Sequence, residues 1–227
     1  MIGFISDIHG NLPALSAVLE VLEKKEINTV YSLGDVAGYY PMVNECIDLL
    51  KKHSIRNILG NHDNYLINNL DCGRSASVDM AIKYQRSVIT PENLRWLSVC
   101  PLTMREPLFY AVHGGLIDFL EEYTEEPDYS EYPEDVTLFL CGHTHKQQYT
   151  ESGGKRFCNP GAVGQPRDKD PRAAYAILYD DLSIELCRVG YDIDEIAKQT
   201  KNAGFEKRFY SGLYTGEPME KRKVHSA

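Results

Sequence analysis

The stretch of sequence that decides the fold is MIGFISDIHGN, residues 1–11. Its apolar run ends abruptly at a polar segment that contains glycine and asparagine, which indicates a buried β-strand. Because alternate side chains of a strand share a face, Asp7 and His9 are expected to point the same way. A carboxylate and an imidazole that leave a strand end together make half of a metal site. A complete site then requires further ligands from the rest of the chain.

The composition is that of an ordinary globular protein, with 43% hydrophobic and 25% charged residues among 227. A chain of this length can bury a sizeable core without disulfides. The net charge of −9 argues against an extended nucleic-acid-binding surface, because such binding depends on neutralising many phosphates. It does not exclude a small phosphorylated substrate, since bound cations would dominate the local field.

The six cysteines are scattered and form no C-x-x-C pair. The first apolar run is too short for a signal peptide, and no stretch is long enough to span a bilayer. These observations predict a cytoplasmic protein that does not associate with membranes and keeps its thiols reduced.

The first third of the chain alternates between strand and helix patterns, which implies a parallel sheet. The predicted elements are a strand over 1–5, a helix over 12–25, a strand over 29–33, a helix around 43–50 and a strand over 57–59. Asn11 is the expected N-cap of the first helix. A helical segment over about 64–102 is expected beside the site, with helices over 79–88 and 92–99 and a loop over 68–77.

The second half favours strands and hairpins. Strands are predicted over 109–112 and 137–141, hairpins over 147–158 and 173–189, and a helix over 192–203. The acidic segment 118–135 is interpreted as a solvated loop with a short helix, or else as a substrate lid. The basic tail at 221–223 is interpreted as a surface segment. Without repeats or linkers, residues 1–227 are expected to form a single domain.

Five predicted strands end in potential metal ligands. They are Asp7 with His9, Asp35, Asn61, His113, and His143 with His145. In open α/β sheets, sites form beyond the carboxyl ends of the strands. A lone buried histidine usually has a hydrogen-bond partner rather than a metal, but burying this many polar groups without partners would be costly. The pattern therefore predicts a metal site.

The ligand set mixes carboxylate, amide and imidazole without thiolate, which favours Mn, Fe, Zn, Co or Ni over Ca or Mg. It is too large for one ion. Two ions about 3.5–4 Å apart could share a carboxylate and hold both oxygens of a phosphoryl displacement. Asp35, a lone carboxylate between the two ligand groups, is the best candidate for the bridge.

These motifs, in their order along the chain, resemble those of the calcineurin-like metallophosphoesterase superfamily. They are Asp7-x-His9, Gly34-Asp35, Gly60-Asn61-His62-Asp63, His113-Gly114 and Gly142-His143-Thr144-His145. The loop 159–168 and the size of the chain are similar to those of the small prokaryotic phosphodiesterase branch. The resemblance implies an α/β fold, a four-layer α/β/β/α sandwich of two facing mixed sheets flanked by helices.

The resemblance also implies roles for single residues. One metal would be bound by Asp7, His9, Asp35 and His145, and the second by Asp35, Asn61, His113 and His143. A water or hydroxide between the ions would attack phosphorus. His62 would stabilise the transition-state oxygens or protonate the leaving alkoxide. Asp63 could orient His62, or have a surface or capping role.

Departures from related branches favour diesters. Protein Ser/Thr phosphatases carry an arginine before the Asn-His motif and another after the second Asp, where this chain has Leu59-Gly60 and residues 36–39. Without these arginines, the bidentate grip on a dianionic monoester is lost. Purple acid phosphatases have a tyrosine ligand at a place that Gly38 occupies here.

Weaker candidates for substrate contacts are Asn11, Tyr39, Asn159 and Arg167. Arg167 could bind a phosphate or pair with Asp168 or Asp170. Tyr39 and Tyr40 could stack on an aromatic group or pack the loop.

The function predicted from these residues is hydrolysis of a phosphodiester or pyrophosphate bond in a small molecule. Phosphomonoesters, cyclic nucleotides and dinucleoside polyphosphates are alternative substrates. A catalytically silent binding scaffold of the same fold is the alternative from another class. The exposed face of the second hairpin is a candidate surface for a homodimer.

Overall fold

Two five-stranded mixed sheets flanked by helices form the architecture in the computed structural model, which describes residues 1–218. The helices are α1 Leu12–Lys24, α2 Val43–Lys52, α3 Asn61–Asn68, α4 Ala76–Val88, α5 Pro91–Ser98 and α6 Ile193–Asn202. The strands are β1 Ile2–Ile5, β2 Val30–Ser32, β3 Arg56–Asn57, β4 Thr103–Glu106, β5 Phe109–Val112, β6 Leu138–Leu140, β7 Gln147–Ser152, β8 Lys155–Pro160, β9 Ala173–Leu178 and β10 Ile184–Val189.

The first sheet has the order β10-β9-β1-β2-β3, and the second has the order β4-β5-β6-β8-β7. Strands β1, β2 and β3 are parallel, as the alternating strand and helix patterns predict. Strands β5, β6 and β8 are parallel in the second sheet, and hairpin partners complete both sheets as antiparallel strands. The carboxyl ends of β1, β2, β5 and β6 carry six of the seven sequence-predicted ligands, and Asn61 follows β3 at the start of α3.

The two sheets pack face to face around a buried apolar layer. Phe4 of β1 meets Phe109 of β5 edge-on, with 5.0 Å between ring centroids. Ile5, the next residue of β1, belongs instead to the cluster under α1 and α2. Because β1 is buried on both faces, its sequence is continuously apolar rather than alternating.

The outer layers differ between the two sheets. Helices α1 and α2 bury Leu15, Val18 and Ile47 in the cluster that covers the first sheet. Over the second sheet, the cluster contains side chains of the segment that follows β5, including Tyr132 against Phe139. That segment is helical only at Tyr129–Glu131, which agrees with the predicted loop with a short helix.

Two elements were not predicted from the sequence, β4 and α3. The first has the polar sequence TMRE and depends on its pairing with β5. The second has the sequence NHDNYLIN, which is rich in residues of low helix propensity. Its first turn is held by Asp35, whose carboxylate accepts a hydrogen bond from the backbone N–H of His62 at 2.9 Å. In both cases tertiary contacts outweigh local preference.

Helix ends follow the expected capping chemistry. Asn11 accepts a hydrogen bond from the N–H of Ala14 at 3.2 Å, which confirms its predicted N-cap role. Helix α4 begins three residues before the predicted Asp79, because Ser75 caps it through the N–H of Val78. Beyond α6, short 3-10 helices bury Phe209 and Leu213 against the fold, whereas the basic residues 221–223 lie outside the described part of the chain.

None of the described helices has the length and apolarity needed to cross a lipid bilayer. All six cysteines are free thiols, and four of them are buried.

Replacing Gly164 by alanine should destabilise the fold. An added Cβ would lie 1.9 Å from the carbonyl oxygen of Ile8, where the loop after β8 closes on the loop after β1. Forced overpacking of this kind costs about 1–3 kcal/mol. Urea unfolding should therefore show a loss of that size for Gly164→Ala.

The matched control is Gly190→Ala, because no atom lies within 4 Å of a Cβ added at this exposed position. Its free energy of unfolding should stay within about 0.5 kcal/mol of the wild type. Equal stability of the two variants would contradict the close approach of the two loops.

Candidate metal centre

The strand ends converge on one buried cluster. Asp7 and His9 follow β1, Asp35 follows β2, Asn61 opens α3, His113 follows β5, and His143 and His145 follow β6. All seven side chains are buried. The structure thus brings together every residue that the sequence predicts as a metal ligand.

The ligand atoms lie at short range across the cluster. His145 Nε2 is 3.2 Å from Asp7 Oδ1 and 3.1 Å from His9 Nε2. His113 Nε2 is 3.4 Å from Asp35 Oδ2 and 3.2 Å from Asn61 Oδ1. Three overlapping groups could each hold a cation, with their donor atoms within 4.8 Å of one another: Asp7, His9 and His145; His9, Asp35 and His62; and Asp35, His113 and His143.

The two carboxylates divide their oxygens between the backbone and the cluster. Asp7 Oδ2 accepts a hydrogen bond from the N–H of His143 at 3.1 Å, and Asp35 Oδ1 accepts one from the N–H of His62 at 2.9 Å. The other oxygens, Asp7 Oδ1 and Asp35 Oδ2, are buried without a hydrogen-bond partner in the described structure, as is His143 Nε2. Unpaired buried acceptors of this kind are costly unless a cation satisfies them, so the donor set fits a metal.

Backbone carbonyls orient three of the imidazoles. His9 Nδ1 is 2.8 Å from Ala37 O, and His113 Nδ1 is 2.8 Å from Leu33 O. His145 Nδ1 is 2.6 Å from Gln165 O. A histidine whose Nδ1–H is held by a carbonyl presents its Nε2 as a ligand. No sequence motif marks these carbonyls, and for this reason the sequence did not reveal the orienting partners.

The backbone at the cluster is strained. Left-handed conformations occur at Asp7, His9, Asp35, His143 and His145, with φ from 51° at His9 to 64° at His143. Such conformations cost energy in residues other than glycine and concentrate at functional sites. Hydrogen bonds between strand ends hold them, for example from His9 N to Asp35 O at 2.9 Å.

Charge in the cluster is set by mutual contacts. Burial opposes ionisation of Asp35, but the neighbouring imidazoles, His113 first, hold the pKa of its carboxyl below the usual range. Burial likewise opposes protonation of His113, but Asp35 raises its pKa to about 10. Burial lowers the pKa of His143 to about 3 and that of His145 to about 4. These two rings are therefore neutral near pH 7, which is the form that binds metals.

His62 lies beside the cluster with its ring 4.8 Å from His9 and 4.9 Å from Tyr39. Its Nε2 is 3.9 Å from Asp35 Oδ2. Its Nδ1 is buried without a hydrogen-bond partner in the described structure. Burial lowers the pKa of His62 well below its usual value, so the imidazole is neutral near pH 7.

Asp63 does not orient His62, contrary to one of the two predicted roles. Its carboxylate accepts hydrogen bonds from the N–H groups of Asp35 at 2.9 Å, Ala37 at 2.8 Å and Gly60 at 3.1 Å. It is fully buried, so it has a capping role rather than a surface role. Burial and the charge of Asp35 raise the pKa of Asp63 to about 7, against the backbone amides of Ala37 and Gly60, which lower it.

A cleft of about 240 Å³ opens beside the cluster. It is lined by Asp35, Tyr39, Asn61, His62, Cys72, Arg74, Ser75, Val78, Tyr123, His143, His145 and Arg167. Ligand pockets are commonly about 300–1,000 Å³. A cleft of this size can therefore enclose the reacting part of a substrate, while larger groups extend to the surface.

Of the predicted substrate contacts, Tyr39 and Arg167 line the cleft. Arg167 donates to Tyr39 Oη at 2.8 Å and to Gln165 Oε1 at 2.7 Å. The alternative prediction, an ion pair of Arg167 with Asp168 or Asp170, is wrong. In the described structure Asp168 pairs with Arg188, and Asp170 pairs with Arg172.

Tyr40 packs the loop rather than the cleft, and its hydroxyl accepts a hydrogen bond from Gln165 Nε2 at 3.1 Å.

The structure does not bring Asn11 and Asn159 to the cleft. Both side chains are fully buried and donate to backbone carbonyls, Asn11 to Gly164 at 2.9 Å and Asn159 to Gly142 at 2.7 Å. They hold the loops that carry ligands and cannot reach a substrate. Conversely, Arg74 and Tyr123 line the cleft although no sequence signal singled them out.

Comparison with known proteins identifies relatives that match most of the chain. The family model of the calcineurin-like phosphoesterase superfamily domain matches residues 1–181. The protein MJ0912 of Methanocaldococcus jannaschii is 33% identical over 220 residues, which cover 85% of this chain and 88% of the relative. Phosphodiesterase YfcE of Escherichia coli is 27% identical over 190 residues, which cover 79% of this chain and 87% of the relative.

Among solved structures, a metallophosphoesterase from Sphaerobacter thermophilus superposes with a TM-score of 0.81 at 30% sequence identity. The match covers 95% of this chain and 98% of that structure. The two mixed sheets are therefore shared along nearly the full length of both proteins.

Replacing Asp63 by alanine should destabilise the fold, because three buried amides would lose their common acceptor. A buried donor without a partner costs about 1–3 kcal/mol, so we expect a loss of at least about 2 kcal/mol. Asp48→Ala serves as the control, since that side chain is 62% exposed. Denaturant unfolding of both variants measures the difference, and an Asp63→Ala variant as stable as the control would refute the capping role.

Metal binding should stabilise the folded protein. Adding Mn²⁺ to protein stripped with a chelator should raise Tm, because a ligand that binds only the native state stabilises it by about 2.7 kcal/mol at 100 times its Kd. The rise should vanish in Asp35→Ala, which removes the carboxylate shared by two of the donor groups. It should persist in His53→Ala, because His53 is exposed and lies outside all three donor groups. A wild-type Tm that does not respond to Mn²⁺, Zn²⁺, Fe²⁺, Co²⁺ or Ni²⁺ would contradict the metal site.

Proposed function

This chain belongs to the calcineurin-like phosphoesterase superfamily, and we propose that it hydrolyses a phosphodiester or pyrophosphate bond of a small molecule with two metal ions. As a member of this family it is a phosphoric ester hydrolase. The observation that carries the proposal is the position of Asp35 Oδ2 between the two ligand groups, 3.7 Å from His9 Nε2 and 3.4 Å from His113 Nε2. That position is what a pair of ions bridged by one residue requires.

The proposed ligands are Asp7, His9, Asp35 and His145 for one ion, and Asp35, Asn61, His113 and His143 for the other. The unpaired oxygens of Asp7 and Asp35 support this assignment, since both are buried within the cluster. When bound, such ions would lower the pKa of a water molecule and withdraw charge from phosphoryl oxygens.

We propose that His62 interacts with the leaving-group oxygen of the ester. His62 Nε2 lies 3.9 Å from Asp35 Oδ2, and the imidazole ring lines the cleft. A neutral imidazole at this place can donate an N–H hydrogen bond to the departing oxygen as negative charge develops on it. Asp63 contributes indirectly, because its hydrogen bond to the N–H of Asp35 holds the loop that carries the shared carboxylate.

A preference for diesters is supported by the limited positive charge in the cleft. Among residues 1–218, the arginines that line it are Arg74 and Arg167, and both have partners in the protein. Arg74 pairs with Glu121, and Arg167 donates to Tyr39 and Gln165. A dianionic monoester would gain most from free bidentate guanidinium groups. The likeness to a relative named as a phosphodiesterase agrees with this preference.

Hydrolysis of bis-p-nitrophenyl phosphate in the presence of Mn²⁺ tests the proposal. We expect turnover by the wild type, loss of it in Asp35→Asn, and a decrease of about 10²–10³-fold in kcat in His62→Ala, which removes a hydrogen-bond donor to the departing oxygen. His53→Ala, a change at an exposed histidine, should retain wild-type activity. Absence of turnover with any transition metal would refute the enzymatic proposal, and faster cleavage of p-nitrophenyl phosphate would refute the diester preference.

A further inference from the structure

Tyr123 is an exposed aromatic residue directly at the candidate centre. Its ring centroid lies 4.2 Å from that of His143, and the residue lines the cleft. The residue is nevertheless 53% exposed, so part of its ring remains open to solvent. An aromatic side chain gains most when its faces are covered. The uncovered part of Tyr123 is therefore available to a bound molecule.

The segment around Tyr123 is anchored on both sides. On one side, the carboxylate of Glu121 accepts hydrogen bonds from Tyr65 Oη and from the Arg74 guanidinium, which belong to α3 and the following loop. On the other side, the buried hydroxyl of Thr124 donates to Gly114 O at 3.2 Å. These contacts fix the position of the segment, so the exposed side chain of Tyr123 lies on an anchored loop and not at a free loop tip.

Two pairs of aromatic rings line the cleft. His62 and Tyr39 form one pair, with 4.9 Å between their ring centroids. His143 and Tyr123 form the other. Because His62 is assigned to the departing oxygen, the rings of His143 and Tyr123 are left for the group that stays on phosphorus.

We propose that Tyr123 is a specificity-determining residue, whose ring stacks on an aromatic or heteroaromatic ring in the ester group that stays on phosphorus. The inference rests on the proposed diesterase function and names the class of its substrate. A nucleobase is the kind of ring that fits, because every base offers a flat π-face and stacks on tyrosine. Because the cleft is small, the phosphoryl group would occupy it and such a ring would lie on its solvent-exposed side, where Tyr123 is 53% exposed.

The test compares two diesters that share the p-nitrophenyl leaving group. One is thymidine 5′-(p-nitrophenyl phosphate), and the other is its 1,2-dideoxyribose analogue, in which hydrogen replaces the base. The wild type should have the higher kcat/KM for the thymidine ester. In Tyr123→Leu this preference should fall about fivefold or more, which corresponds to the lower end of base–aromatic stacking. Tyr123→Phe should keep the preference, because it keeps the ring.

Each other outcome overturns the inference in a recognisable way. A Tyr123→Leu variant that loses the same factor with both esters would show that the tyrosine only covers His143. A variant that loses nothing with either would show that the ring has no role. Both results would leave the proposed hydrolysis standing. If the wild type, loaded with metal, cleaves neither ester nor bis-p-nitrophenyl phosphate, the proposed function itself fails.

Discussion

The structure depends on keeping two carboxylates charged inside the protein. Asp7 and Asp35 are at most 1% exposed, and burying a charge is costly unless partners compensate for it. One oxygen of Asp7 accepts a hydrogen bond from the backbone N–H of His143, and one oxygen of Asp35 accepts a hydrogen bond from the backbone N–H of His62. Both donors belong to motifs elsewhere in the chain. Each carboxylate presents its second oxygen to the ring of imidazoles. The cluster therefore links strand ends from both sheets as well as collecting donor groups.

The surrounding fold is arranged to hold this cluster. Strand β1 is buried on both faces, so the segment that carries Asp7 and His9 begins from a rigid position. The left-handed residues at the strand ends are strained, and hydrogen bonds from neighbouring loops maintain them. Asp63 and Gln165 extend the same support outward. Asp63 accepts hydrogen bonds from three backbone amides of the Asp35 and Gly60 loops. The backbone carbonyl of Gln165 orients the imidazole of His145.

The cleft beside the cluster is assembled from separate parts of the chain. Tyr39 follows β2, Arg74 precedes α4, Tyr123 follows β5, and Arg167 follows β8. Glu121 joins two of these segments by pairing with Arg74 and Tyr65. In the proposed reaction, the chemistry at phosphorus would depend on strand ends, whereas the choice of substrate would depend on loops that meet only in the folded protein. This division is common, because loops vary while the scaffold keeps its geometry.

The sequence alone determined the parallel β1-β2-β3 arrangement, the two predicted hairpins, the N-cap of α1, and the set of side chains that meet at the candidate metal centre. These features depend on local patterns: apolar periodicity, capping residues, and a polar ligand directly after each strand. Only the tertiary structure decided that α3 forms from a poor helical sequence and that β4 pairs with β5. Tertiary contacts also decided that Asp63 serves backbone amides, that Asn11 and Asn159 are structural, and that Tyr123 stands over His143. Each of these depends on atoms far apart in the chain, and residue spacing along a sequence carries no information about which distant loops will touch.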